Sequence, residues 1–154
     1  MSEDPQEKIN NSHRYWSATC FNATWDLIDK SPKTSEDIEM MLHLAHASFW
    51  HWTQVPDVTQ TNLSVGYWLL GRVYALAGKG GEALYYGNHC VDIGLLNQLE
   101  PFYIGYGYEA VARAYQILQK PEMQEESKRK AMACLEKITD EENKNLLIAD
   151  LKQL

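Results

Sequence analysis

Basic charge, cysteine, catalytic signatures and long apolar runs are all scarce in this 154-residue chain, and each scarcity removes a class of function. Lys and Arg number 14 against 21 Asp and Glu, giving a formal net charge of −7. Nucleic acid and anionic membranes reward clustered Lys and Arg, so neither is expected as a partner. Cys20, Cys90 and Cys134 are odd in number and far apart, with no C-x-x-C spacing. They read as small apolar core residues in a reducing compartment. The segment Met1 to Lys8 is charged and lacks an apolar h-region, so no signal peptide is expected. The longest apolar stretch, Val65 to Ala77, is short and contains Arg72, so no transmembrane helix is expected either. The expected location is the cytoplasm. There is no G-x-S-x-G and no phosphate-cradling loop; Gly78-Lys79-Gly80-Gly81 reads as a hairpin turn. Neither a catalytic residue nor a cofactor is expected.

What is present is a folding composition with strong helical periodicity. Hydrophobic residues make up 45%, enough for one domain with a substantial core. No stretch alternates as a strand would. A first helix is expected over about Asp4 to Lys30, with Ile9, His13, Trp16, Cys20, Ala23 and Leu27 on one stripe. Ser31-Pro32 stops it. Thr34-Ser35-Glu36-Asp37 opens a second helix whose stripe is Ile38, Leu42, Ala45, Phe49 and Trp52. Further helices are expected over about Gln60–Ala77, Glu82–Ile93 (Gly94 as C-cap), Pro101–Gln119 and from Pro121 to Lys137. A short seventh follows the box Thr139-Asp140-Glu141-Glu142. Between Glu39 and Arg72 the single formal charge is Asp57, so the second and third helices read as largely buried. The expected domain is all-α and single over residues 1–154. An N-terminal hairpin fills 4–54, two repeat hairpins fill 60–137, and a capping helix fills 139–154.

The repeat emerges on shifting the third helix by 41 residues onto the fifth. Gly66-Tyr67 falls on Gly107-Tyr108, Arg72 on Arg113 and Tyr74 on Tyr115, while the small residues Cys90 and Ala131 also coincide. Such a period carrying helix pairs is the signature of a helical solenoid. Tyr67-x-x-Leu70-Gly71-x-x-Tyr74, followed by Gly78 and Glu82-Ala83-Leu84, resembles the tetratricopeptide repeat in a long-repeat variant. Tyr108-x-x-Val111-Ala112-x-x-Tyr115 keeps the first-helix pattern, whereas Gln124 and Lys128 depart from the family's Ala and aromatic. The resemblance spans roughly Leu63 to Lys137 and implies a right-handed, TPR-like solenoid of three hairpins plus a capping helix. It also implies a concave face that binds extended peptides, here lined by Trp68, Leu69, Arg72, Tyr106, Glu109 and Arg113.

Two readings of that face stay open from sequence. Arg72 and Arg113 either form prongs for a partner's carboxylate or acidic segment, or pair with a carboxylate such as Glu109 and tie helices together. The leading expectation is a non-enzymatic protein- or peptide-interaction module, with self-association into a homodimer admitted. The alternative is a metal-binding helical bundle or enzyme. Glu39, His43 and His46 lie at i, i+4 and i+7, and His13 would complete the ligand set. In Phe49-Trp50-His51-Trp52 the middle pair must turn away from the core stripe, and the adjacent hairpin is the expected neighbour.

Overall fold

The computed structural model describes residues 2–154 and is all-helical, with no strand among them. Seven helices follow in order: α1 (Pro5–Asp29), α2 (Ser35–Gln54), α3 (Gln60–Leu76), α4 (Gly80–Leu96), α5 (Pro101–Ile117), α6 (Pro121–Leu135) and α7 (Glu141–Leu151). They pack as consecutive antiparallel hairpins α1–α2, α3–α4 and α5–α6, a helical-hairpin solenoid with α7 laid against α5 and α6. No helix among the described residues is long and apolar enough to cross a membrane.

Local chemistry sets the boundaries. Thr34 and Asp37 form a reciprocal capping box at the start of α2, as their spacing predicts. At α7 the cap is Asp140, which accepts from Asn143 N–H, one residue later than the expected Thr139. Gly94 is not the C-cap of α4; it is buried against Ile104, and the helix continues to Leu96. Three helices end in one shape, a left-handed residue whose neighbours bond back to the last turn. Gly78 (φ 74) does this after α3, Gln98 (φ 50) after α4, and Gln119 (φ 57) after α5. Lys79 N–H reaches Tyr74 O at 2.9 Å, and Lys120 N–H reaches Tyr115 O at 3.0 Å. The 41-residue shift therefore holds for the turns as well as the helices.

The main core joins α2, α3, α4 and α5 through Met41, Ala45, Leu69, Leu70, Val73, Cys90 and Ala110. Each buried Leu contributes about 2–3 kcal/mol of transfer free energy. Glycine sets the distance between α4 and α5. A Cβ on Gly107 would lie 3.1 Å from Val91 N, and one on Gly87 3.2 Å from Val111 N, so a side chain at either position would push the paired backbones apart by a few tenths of an ångström. A smaller core of Ala131, Ile138, Leu147 and Leu151 seals the α7 end.

Two expected faces differ. In α1 the fully buried residues are Ser17 and Thr24, while Ile9 and Trp16 stay about half exposed. Hydroxyls take the helix interface because each satisfies itself on its own turn, Ser17 on Arg14 O and Thr24 on Cys20 O, both at 2.7 Å. Small side chains then let α2 approach, and Ser48 Oγ donates to Ser17 O at 2.8 Å. In α2, Met41, Ala45 and Ser48 are buried whereas Met40 and Trp50 are exposed. Near-complete burial holds for α3 and only in part for α2.

Candidate functional site

The residues singled out by sequence converge. Trp68 and Arg72 of α3, Tyr106, Glu109 and Arg113 of α5, and Asp150 of α7 form one connected polar network. Glu109 is its centre and is 0% exposed. One carboxylate oxygen accepts the Trp68 indole N–H at 3.0 Å. The other accepts Arg72 Nη1 at 3.3 Å and Arg113 Nε at 2.7 Å. Arg113 Nη2 lies 2.6 Å from that same oxygen without hydrogen-bond geometry. Tyr106 O–H donates to Asp150 at 2.7 Å, and Arg72 Nη2 stands 3.8 Å from the same carboxylate.

Helical register produces this meeting. Arg113 sits one turn after Glu109 on α5, the i, i+4 spacing that brings side chains together. Trp68 and Glu109 are repeat-equivalent, 41 residues apart, so the bond between them marks the direct neighbourhood of α3 and α5. Two cations face two carboxylates, and the network is formally neutral. Burial is the main force drawing the Arg72 pKa down, with repulsion from Arg113 second and the carboxylates opposing. Burial and the bond to Asp150 push the Tyr106 phenol up, which keeps it a donor. Of the two readings left open by sequence, the arginines adopt the second: both are held by Glu109, and each side chain is 12% exposed. Glu109 and Leu69 are not groove-lining residues but interior ones.

Beside the network lies an apolar cavity of about 170 Å³, lined by Ser64, Val65, Trp68, Cys90, Phe102, Tyr103 and Tyr106. Trp68 and Tyr106 belong to both, so the ion pairs fix two of its walls. The two rings meet edge to face at 5.6 Å, and Trp25 of α1 stacks on Trp68 at 5.7 Å. An aromatic row thus runs across the first helices of all three hairpins. On the other side of Val65 a second hollow of about 210 Å³ is bounded by Ala18, Phe21, Asn22, Trp52 and Asn62. The floor of the first cavity is inert. Cys90 is bonded to Ser64, and burial pushes its thiol up to about 12.

The histidines do not assemble. His13 Nδ1 lies 2.8 Å from His51 Nδ1, His46 bonds the Tyr74 hydroxyl at 2.8 Å, and His43 faces solvent beside Glu39. Among the described residues no three His, Cys, Asp or Glu side chains come together as a metal site. His51 therefore meets α1 of its own hairpin, not the adjacent hairpin, and Trp50 is 54% exposed.

No family model, curated protein or solved structure matches the chain. The aromatic pair Phe102-Tyr103, expected from sequence to face the adjacent hairpin, lines the cavity, whereas Ser64, Val65 and Asp150 are site residues that sequence reasoning does not single out. Val65 was within reach, since the 41-residue shift lays it on Tyr106. Nothing marks Asp150 among the mixed charges of the last helix.

Proposed function

We propose that the chain is a non-enzymatic, TPR-like interaction module that captures a segment of a protein partner on the face formed by α1, α3 and α5. The supporting observation is the apolar cavity between Val65, Trp68, Phe102, Tyr103 and Tyr106, two of whose walls, Trp68 and Tyr106, are bonded to the buried ion-pair network beside it. A cavity of about 150 Å³ with apolar walls accepts a single benzene-sized ring. The space of about 170 Å³ here suits one Leu, Met or Phe side chain as an anchor. Rigid aromatic walls lose little conformational entropy on binding, which is how a small number of side chains carry an interface. The second hollow across Val65 offers a place for another apolar side chain of the same segment, with Asn22 and Asn62 as polar contacts.

Charge has a secondary part in this reading. Glu109 and Asp150 together already neutralise Arg72 and Arg113, so a partner carboxylate adds attraction at the rim instead of displacing a buried pair. The TPR-like character rests on the 41-residue period, on the matching turns at Gly78 and Gln119, and on the Tyr67-to-Leu84 pattern.

The test is selection of displayed random peptides on the immobilised chain, followed by binding to Val65→Arg. Recovered sequences should share an apolar anchor, and Val65→Arg should weaken them by about tenfold or more. Peptides sharing only acidic residues, or indifferent to Val65→Arg, would count against the cavity as the site.

A further inference from the structure

We propose that the outer face of the α1–α2 hairpin is a homodimer surface, independently of what the cavity binds. The two ends of the solenoid are unlike. One is closed by α7, whose Leu147 and Leu151 pack on Ala131 and Ile138. At the other, the first described helix, α1, carries an apolar stripe at alternating spacings of four and three: Ile9, His13, Trp16, Cys20, Ala23 and Leu27. That period of 3.5 is the one helices use to pack side by side. α1 spends only part of it inward: Ser17 and Thr24 occupy the contact with α2, His13 meets His51, and Leu27 packs on the main core, which leaves Ile9 and Trp16 facing out. The stripe lies about 70–80° around the helix from those two residues, at about 100° per residue. Ile9 is 51% and Trp16 48% exposed, and Met40 of α2 is 51% exposed. The close pair His13 and His51 ties the two helices together along this face.

Charge and area favour a second copy as the occupant. None of the stripe residues carries a formal charge, and at its far end Lys30 and Asp37 cancel at 2.8 Å. A chain of net charge −7 associates with itself most easily through a face poor in that charge, and here the α1 stripe is uncharged while Glu36 stands one turn before Met40 on α2. A helix of 25 residues is about 37 Å long, and two helices at about 10 Å spacing give a face of roughly 600 Å² in projection. Its accessible area is larger and comes near the ~800 Å² that each partner of a stable pair buries. Two hairpins laid face to face about a two-fold axis make a four-helix contact in which each stripe meets its equivalent.

Sedimentation equilibrium of the full chain at about 100 µM tests this. The proposal predicts a species of twice 17.7 kDa. Ile9→Lys with Trp16→Glu, both at exposed positions, should weaken the dimer by about tenfold or more while the helical circular dichroism and melting of the monomer persist. Leu96→Glu, at an 83% exposed position away from this face, should leave the dimer intact. A 17.7 kDa monomer at that concentration, or a dimer that withstands the double substitution, would overturn it.

Discussion

The indole N–H of Trp68 donates at 3.0 Å to Glu109, and the two residues occupy the same position in successive hairpins. A repeat normally sets like beside like. Here the equivalent positions carry a donor and a buried carboxylate, and the second of these recruits Arg72 and Arg113. The consequence is a neutral, hydrogen-bonded network beside an apolar cavity, with Trp68 and Tyr106 common to both. Rigidity is what an anchor pocket needs, since ordering costs are then met during folding and not during binding.

Glu109→Gln tests the platform. It keeps an acceptor for Trp68 but removes the carboxylate that both guanidinium groups share, leaving Arg113 without a charge partner and Arg72 with only the longer contact to Asp150 at 3.8 Å. Breaking a buried pair from one side costs about 3–5 kcal/mol. Urea denaturation should show a loss on that scale, the 12% exposure of both arginines favouring its lower end. Binding of a cavity-directed peptide should fall as the Trp68 wall loosens.

Gln119→Gly should have the opposite sign. Gln119 sits at φ 57, in the place that Gly78 occupies one repeat earlier. A residue with a Cβ pays roughly 1 kcal/mol for this conformation. Removing the Cβ should raise stability by about 0.5–1 kcal/mol, read as a higher melting temperature. An unchanged or lower melting point would contradict the shared turn geometry.

Acid should weaken the first hairpin. Desolvation, with repulsion from His13 second, lowers the His51 pKa below its unfolded value. The folded state then favours the neutral ring. Stability is fully present above the unfolded histidine value and declines as pH falls through the folded one. Chemical denaturation between about pH 7.5 and 5 should record this decline, and His51→Gln should lessen it, the remainder coming from His46, whose pKa burial also lowers.

Most of the fold was legible because its punctuation is local. Pro5, Pro101 and Pro121 sit in first turns, Gly78 ends α3, and Thr34 with Asp37 opens α2, each within a few residues of the helix end it marks. The inward face of α1 was not legible. Apolar periodicity pointed to Ile9 and Trp16, whereas contact with α2 demanded the small, self-satisfied Ser17 and Thr24. At the site, the five residues Trp68, Arg72, Tyr106, Glu109 and Arg113 were found through the repeat. Their burial was not, because it depends on a neighbouring hairpin and on α7. Asp150 completes the network from 44 residues beyond Tyr106, a separation that no helical period reports.

The most direct test of the central claim is the footprint of a selected, apolar-anchored peptide on the isotope-labelled chain, followed by backbone and indole NMR. The account predicts that shift changes concentrate at Val65, Phe102, Tyr103, Tyr106 and the Trp68 indole, and that they vanish in Val65→Arg. Changes confined to α2, α4 and α6, with the Trp68 indole unmoved, would contradict it.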